Sequence, residues 1–317
     1  MKKIFALLLA AMLLLTCSAL AEDDGLANVM AKGQLIMGFD EAYPPMGFVN
    51  EDGVHVGFDI DLAREVCKRM GVELVLQPIS WDAKELELSG KNIDCIWSGL
   101  TITPERQEQM LFSIPYLANE QILVVMSDSG ITSADQLAGK VLGTQAGSSS
   151  VDVLDANPEL KDSLAEIALS DDFVAALMDL KLGGIDVLLI DSVVGNYYIS
   201  QQDDPDAFSV LPEVLEAEEY GIAFRLGEQT LADAVSEQLI AMSEDGTLDA
   251  IREKWFANDI TIVSKYADSA IEYTVRVWVH NADYWDAHFD IMERVKDCFD
   301  RHGVEMTYPH LNVHTVS

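Results

Sequence analysis

Strand-like and helix-like apolar patterns alternate over residues 34–96, and this order limits the possible folds more than any other feature of the chain. Residues 34–39, 72–77 and 93–96 have the composition of strands, whereas residues 59–70 repeat apolar side chains at three- and four-residue spacing. A shorter acidic helix is predicted near residues 84–88. This β-α-β-α-β order predicts a mostly parallel sheet with helices on both faces, and therefore an α/β fold.

A second α/β set follows an irregular stretch at residues 112–117. Its predicted elements, in order, are a strand at 121–126, a helix start at 133–137, a strand at 141–143, helices at 151–154 and 173–181, and a strand at 185–190. A strand at 221–225 and helices at 231–244 and 248–255 come after it. We therefore predict two lobes, with residues 118–217 inserted into a first lobe of residues 26–117 and 218–263. The predicted crossings lie near residues 117–121 and 216–220.

The N-terminus has the pattern of an export signal. Lys2 and Lys3 precede an unbroken apolar run at residues 4–15, and residues 19–21 (ALA) form a small-residue cleavage site. We expect a signal peptide of residues 1–21. The alternative is a lipobox at residues 14–17 (LLTC), which would attach a lipid to Cys17, although threonine is a poor residue before the cysteine. Both interpretations place the product outside the cytoplasm, in the periplasm or at the cell surface.

Charge and cysteine content exclude several classes of partner. The chain has 20 Lys+Arg against 54 Asp+Glu, a formal net charge of −34, so it would repel phosphate backbones and nucleic acid is not expected as a partner. Cys67, Cys95 and Cys298 remain after cleavage, too few for a disulfide framework and without metal-ligand spacing. No metal or cofactor is expected, and Cys67 and Cys95 are predicted to be buried.

The stretch at residues 97–106 (WSGLTITPER) has the features of an anion-binding turn. It follows the strand at 93–96, where ligands gather in open α/β sheets, and offers the Thr101 hydroxyl and the Arg106 guanidinium beside a helix start. A plain strand–turn–helix junction, capped by Thr103 with Pro104 at the first helical position, explains the same residues. The two interpretations are compatible.

Polar and aromatic residues after the other strands complete a set that suits a zwitterion. They are Asp40 and Tyr43 after the first strand, the Gly147-Ser148-Ser149 turn after the strand at 141–143, and Asp191 after the strand at 185–190. Arg106 suits a carboxylate, Asp191 an ammonium, and the rings of Tyr43 and Phe58 a side chain. The alternatives are a surface position for Arg106, helix capping by Asp191 and core packing for the two rings. No nucleophile elbow or catalytic set accompanies these residues, so an enzyme is not expected.

In this order, the motifs resemble family 3 of the extracellular solute-binding proteins, the receptors of polar amino acid ABC importers. The matching stretches are GFD at 38–40 with YPP at 43–45, VGFDIDL at 56–62, IDCIW at 93–97, GLTITPER at 99–106, FSIPY at 112–116, GGID at 183–186 with Asp191, GTL at 246–248 and KWF at 254–256. The resemblance, over residues 26–263, implies a two-lobed periplasmic-binding-protein fold of type II with a hinge. It also implies that a polar amino acid is bound by closure of the lobes and delivered to the permease of an ABC importer.

The resemblance implies a role for each candidate residue. Arg106 would pair with the ligand α-carboxylate, helped by Thr101 and the backbone at Ser149. Asp191 would hold the α-ammonium with the Gly99 carbonyl and the Thr101 hydroxyl, and Tyr43 and Phe58 would enclose the side chain. Residues that would discriminate among side chains are Asp40, Trp81, Trp97, Ser98 and Ser148. The alternative function is an exported dehydratase or lyase, in which Asp40, Glu41 or Asp191 would have to act as the general acid.

Residues 270–317 resemble a different family, the end of the cytoplasmic domain of small-conductance mechanosensitive channels. A strand at 273–279, a helix at 282–302 and a strand at 304–316 are predicted. The pore helices of such channels have no counterpart in this sequence, so channel function is not expected. This β-α-β appendage would expose a sheet edge and an apolar helix face, which could dock on the receptor lobe or drive oligomerisation. A passive remnant of gene fusion is the alternative.

Overall fold

The computed structural model describes residues 25–256 and two further strands, Val263–Ala267 and Ala270–Tyr273. The chain divides into two units, Met1–Thr274 and Val275–Ser317, and everything described belongs to the first. The predicted signal peptide and the predicted appendage, apart from its first residues at 270–273, lie outside the described residues. Within the described part, no helix combines the length and the apolar character needed to cross a membrane.

The elements follow one another in an alternating order. The first set is α1 (Gly25–Lys32), β1 (Gln34–Phe39), β2 (Ala42–Tyr43), β3 (Gly47–Val49), β4 (His55–Val56), α2 (Phe58–Met70), β5 (Glu73–Pro78), a 3₁₀ turn (Trp81–Ala83), α3 (Lys84–Ser89), β6 (Cys95–Ile96), α4 (Pro104–Gln107) and β7 (Met110–Phe112). The second set is β8 (Leu117–Met126), 3₁₀ turns at Ser127–Ser129 and Ala134–Gln136, β9 (Val141–Gln145), α5 (Ser149–Ala156), α6 (Pro158–Ser163), β10 (Glu166–Ser170), α7 (Phe173–Leu182), β11 (Val187–Asp191), α8 (Ser192–Ser200), a 3₁₀ turn (Pro205–Ala207) and β12 (Phe208–Tyr220). The chain then forms β13 (Ala223–Arg225), α9 (Gln229–Glu244), α10 (Thr247–Trp255), β14 (Val263–Ala267) and β15 (Ala270–Tyr273).

Two five-stranded sheets form the cores of the two lobes. The first has the order β5-β1-β6-β13-β7, with β1 parallel to both β5 and β6 and with β13 antiparallel to its neighbours. The second has the order β10-β9-β11-β8-β12, with β9 parallel to β10 and β11 and with β8 antiparallel to β11 and β12. The two-lobed α/β fold predicted from the alternation is confirmed. Cys67 and Cys95 are buried, as expected.

Two long strands, β8 and β12, carry the chain between the sheets, and we call them the crossing strands. They pair antiparallel, with Leu117 opposite Tyr220 and Asn119 opposite Glu218. Their shared end is attached to the first lobe by backbone hydrogen bonds, from Tyr116 N–H to the Tyr220 carbonyl and from Ile102 N–H to the Glu219 carbonyl, each 2.9 Å long. The lobes are therefore joined where these strands meet the first sheet.

The sequence patterns did not predict α1, α6, β10, α8 or β12, nor the short strands β2, β3 and β7. The strand β12 is the instructive case, because its sequence FSVLPEVLEAEEY contains a proline and several glutamates that disfavour strands. It lies at the edge of the second sheet, and register shifts interrupt its pairing with β8 at Val210/Val214 and at Val214/Glu216. An edge position tolerates proline and charge, so tertiary pairing overrides local preference here.

Candidate functional site

Arg106 lies inside the molecule, at one end of the site. The short helix α4 starts after Thr103, whose hydroxyl accepts the Arg106 backbone N–H at 3.2 Å, and Pro104 is its first residue. The Arg106 guanidinium donates to the Thr101 carbonyl at 2.9 Å and to the Gly147 carbonyl of the other lobe at 3.4 Å. The stretch is thus a capped junction, and it also directs a buried arginine toward the facing lobe.

The start of α5 forms the wall opposite Arg106. The Ser149 hydroxyl is 3.1 Å from the Thr101 hydroxyl, and the Ser148 hydroxyl donates to the Gln145 carbonyl at 2.8 Å. The first N–H groups of a helix have no partner within the helix and carry a partial positive charge. Together with Arg106, they create an environment suited to a carboxylate.

Asp191 marks the opposite electrostatic end of the site. It is buried at the end of β11, and its Oδ1 accepts hydrogen bonds from the Tyr220 hydroxyl at 2.8 Å, from the Gln121 amide at 3.0 Å and from the Asn119 amide. Although Asp191 precedes α8, its side chain makes no capping hydrogen bond. The capping alternative is therefore not what the structure shows.

Glu218, which the sequence did not single out, lies beside Asp191. Its Oε2 accepts from the Asn119 amide at 2.9 Å, and from the Gln121 amide and the Thr101 hydroxyl at 3.0 Å each. The two buried carboxylates therefore share the same two amide groups, and within residues 25–256 neither forms an ion pair with a basic side chain. Burial first, and the Glu218 charge second, raise the pKa of Asp191 to about 7.

A cation would relieve this concentration of negative charge, because a buried carboxylate is stable when it is paired. In the described part of the chain, no group of three or more His, Cys, Asp or Glu side chains is arranged to hold a metal ion. An ammonium group carries a positive charge and three N–H donors, which are the features that carboxylate acceptors can bind. The signal that could have revealed Glu218 is the two-residue alternation on the crossing strands, which places Asn119 and Gln121 on one face of β8 and Glu218 and Tyr220 on one face of β12.

Tyr43 and Trp81 present nearly parallel rings. Their ring centroids are 6.5 Å apart with an interplanar angle of 10°, and the Tyr43 hydroxyl is 3.1 Å from that of Tyr220. This spacing is near the upper end of the roughly 4.5–7 Å range for interacting rings. Trp81 belongs to the 3₁₀ turn that follows β5, the same strand-end position that identified the other candidates.

Phe58 and Trp97 lie in the core instead. Phe58 begins α2 and contacts Phe256 and Tyr116, with ring centroids 5.0 and 6.3 Å away. Trp97 is also fully buried, 6.2 Å from the Tyr116 ring. The pairing of Phe58 with Tyr43 around a ligand side chain therefore stays a prediction, and the rings of Phe256 and Tyr116 are the neighbours that the structure shows for Phe58.

Asp40 and Ser98 meet at the ends of β1 and β6, where the two lobes touch. The Asp40 backbone N–H donates to the Ser98 hydroxyl at 3.2 Å, and the Asp40 carboxylate accepts from the Gln145 amide of the second lobe at 2.7 Å. Burial raises the pKa of Asp40, against the opposing effect of the hydrogen bonds from Ala42 and Gln145. The Asp40 carboxylate therefore links the end of β1 in the first lobe to Gln145 at the end of β9 in the second lobe.

Gly99 fits tightly between two tyrosines. Its φ is +55°, and a Cβ atom would lie 2.7 Å from Cε1 of Tyr43 and 3.0 Å from Cε2 of Tyr220. The Gly99 N–H donates to the Asp59 carboxylate at 2.7 Å, and burial raises the pKa of Asp59 to about 7. Any residue with a Cβ atom would therefore clash with both rings at this position. The hydrogen bond to Gly99 identifies Asp59 as a supporting residue that the sequence analysis did not single out.

The sequence profile of the family described as bacterial extracellular solute-binding proteins, family 3, matches residues 35–258. The chain belongs to this family. It is similar to the L-cystine-binding protein TcyJ of Escherichia coli (strain K12), with 35% identity over 242 residues that cover 75% of this chain and 89% of that protein. It is also similar to a solved structure of an ABC uptake transporter substrate-binding protein from Streptococcus pneumoniae with bound histidine. The identity is 41%, the TM-score is 0.73, and the match covers 75% of this chain and 98% of the other.

Two further matches bear on the other predictions. The chain is similar to the solved structure of the ancestral amino acid-binding protein AncCDT-1, a precursor of cyclohexadienyl dehydratase. The identity is 32%, the TM-score is 0.67, and the match covers 73% of this chain and 99% of the other. A second profile, described as mechanosensitive ion channel MscS, C-terminal, matches residues 250–306. Both resemblances inferred from the motifs are thus confirmed.

Proposed function

We propose that this solute-binding protein is an extracytoplasmic receptor that binds a polar amino acid between its lobes and delivers it to an ABC importer. The observation that carries the proposal is the opposition of two charged ends in one buried interlobe site. Arg106 and the start of α5 form the positive end, and Asp191 with Glu218 forms the negative end. Family membership supports the proposal, as do relatives named for binding cystine and histidine.

The proposed assignment follows the charges. The ligand carboxylate would contact Arg106, Thr101, Ser148 and Ser149, and its ammonium would contact Asp191 and Glu218. The ligand side chain would enter between Tyr43 and Trp81, toward Asp40 and Ser98. We place one lobe at residues 26–117 and 218–263 and the other at residues 118–217. A ligand can contact both lobes only when they are closed together. An amino acid would therefore shift the population toward the closed form by motion about the crossing strands.

A thermal-shift panel of the twenty common L-amino acids and L-cystine tests the proposal. A binding amino acid at 100 times its Kd should stabilise the protein by about 2.7 kcal/mol and raise its Tm by a few degrees. The variant Arg106→Ala should lose this shift, because it removes the paired donors of the guanidinium. A panel in which no amino acid raises the Tm of the wild-type protein would overturn the proposal.

Two controls separate binding from folding. The ligand-free Tm of Arg106→Ala shows whether the fold survives loss of the hydrogen bonds to the Thr101 and Gly147 carbonyls. Arg106→Lys keeps the positive charge but not the planar fork, so it should bind with intermediate affinity. Equal binding by Arg106→Ala and wild type would remove Arg106 from the site.

The enzyme alternative has one observation in its favour, the likeness to a precursor of a dehydratase. Burial raises the pKa of both Asp40 and Asp191, and because Asp191 is assigned to the ligand ammonium, Asp40 is the remaining candidate for a general acid. Glu41 is exposed and hydrogen-bonded to His55 at 3.0 Å. Proton NMR of each stabilising amino acid after prolonged incubation with the protein distinguishes the two functions. A receptor returns the amino acid unchanged, whereas a new product would establish the enzyme.

A further inference from the structure

Lys84 is a buried lysine at the boundary between the lobes, and neither the motifs nor the proposed ligand contacts account for it. It is 2% exposed, begins α3 in the first lobe, and donates from Nζ to the Gly147 carbonyl of the second lobe at 2.8 Å. Burial lowers the pKa of Lys84 against the opposing charge of Glu85, and the nearby positive charge of Arg106 lowers it further. A cation is also unfavourable at the start of a helix. Burial and the helix position therefore disfavour a charged lysine here, which makes its contacts with other groups the point of interest.

The hydrogen-bond donors of Lys84 are fully used by the protein. An ammonium has three N–H groups, and Nζ lies 2.8 Å from the Gly147 carbonyl, 3.3 Å from the Trp81 carbonyl and 3.1 Å from the Glu85 carboxylate. None remains for a ligand carboxylate, which distinguishes Lys84 from Arg106. Nζ also lies 4.9 Å from the centroid of the Trp81 ring, a cation–π distance.

The partner of Lys84 in the second lobe is a turn that approaches the first lobe closely. Gly147 has a φ of +70°, and a Cβ atom added to it would lie 3.2 Å from Oδ1 of Asp82 and 3.4 Å from Nζ of Lys84. Arg106 donates to the same Gly147 carbonyl at 3.4 Å. The turn therefore joins the second lobe to the first at the carboxylate end of the site.

We propose that Lys84 is a positioning residue that latches the closed lobes, linking the Trp81 ring of the side-chain pocket to the Gly147 turn. It acts through these two groups and does not touch the bound amino acid. Because the Gly147 contact exists only when the lobes are together, the latch stabilises the closed complex and slows release. The proposal rests on the proposed receptor function.

Stopped-flow kinetics of Lys84→Met test the latch, with each amino acid that stabilises the wild-type protein as the probe. Methionine keeps the apolar stem and removes the charge. We expect the dissociation rate to increase about tenfold, because the variant loses one hydrogen bond from a charged donor. The association rate should change less than about twofold. The matched control is Lys91→Met, an exposed lysine of the same lobe, which should change neither rate.

The Gly147→Ala variant provides an independent test, because it obstructs the approach of the turn and leaves Lys84 in place. It should also speed dissociation, and ligand-free Tm values report separately whether each variant remains folded. A wild-type dissociation rate in Lys84→Met, or a loss of affinity carried entirely by association, would overturn the latch and leave the receptor function standing. Failure of the wild-type protein to bind any amino acid of the panel would overturn both.

Discussion

Asp191, the proposed contact of the ligand ammonium, is expected to make amino acid binding dependent on pH. Burial and the Glu218 charge hold its pKa near 7, above the usual 3.8 of an aspartic acid, so the folded protein retains a proton there that the unfolded chain releases. Its contribution to stability is therefore full below about pH 4 and is lost as the pH rises through about 7. Binding has the opposite dependence, because an ammonium ligand requires the ionised carboxylate.

We expect the Kd to increase about tenfold from pH 8 to pH 6, because Asp191 becomes protonated and binds the ammonium less tightly. Titration calorimetry measures the Kd, and it should detect proton release on binding near pH 7. Removing the second carboxylate with Glu218→Gln should move the midpoint to lower pH. Asp191→Asn should bind weakly with a flattened profile, and any remaining pH dependence would then report Asp59, whose pKa is also near 7. A Kd constant over this range would contradict the assignment of Asp191.

Phe58 and Trp81 are two large aromatic residues with opposite expected roles. Phe58 is surrounded by core rings, so Phe58→Ala should lower the free energy of unfolding by about 3–5 kcal/mol. The Trp81 ring lies parallel to Tyr43 at the site, so Trp81→Ala should mainly weaken ligand binding. Urea unfolding and calorimetric Kd values, measured on both variants, separate the two effects. If Phe58→Ala folds and loses more affinity than Trp81→Ala, the result would support a ligand contact for Phe58.

At the level of elements, patterns of two- and three-to-four-residue spacing predicted the strands and helices whose apolar faces are buried. The rule is incomplete, because α8 was missed although it buries Val193, Val194 and Tyr198. The strand β12 was missed for another reason, since its glutamates and proline are tolerated only because it lies at a sheet edge. The same limit applies to the site. The strand-end rule of open α/β sheets identified Arg106 and Asp191. It could not identify Glu218, which lies within a crossing strand and becomes relevant only through its antiparallel register with Asn119.

The charge of the whole molecule sets a background that no single contact reveals. With 54 acidic and 20 basic residues, the folded chain repels itself, because folding brings negative charges closer together than they are in the unfolded chain. Salt shortens the screening length from about 30 Å at 0.01 M to about 8 Å at 0.15 M. We expect the ligand-free Tm to rise by a few degrees over this range, with NaCl and KCl giving the same result, as measured by differential scanning calorimetry. A Tm that falls with salt would show that attractive ion pairs outweigh the net repulsion.

The placement of the acidic pair on the crossing strands has a mechanical consequence. Glu218, Asn119 and Gln121 lie on the crossing strands, about which we propose that the lobes turn, so the ammonium end of a bound amino acid would lie near the axis of the motion. The contacts of Lys84 with Gly147 and of Asp40 with Gln145 lie away from these strands, between the facing surfaces of the two lobes. Binding would then begin at the crossing strands, where the lobes move least, and finish at the facing surfaces of the lobes. Substitutions on the crossing strands, like Lys84→Met, would alter how tightly any amino acid is held, whereas substitutions at Asp40 and Gln145 would alter which side chains allow complete closure.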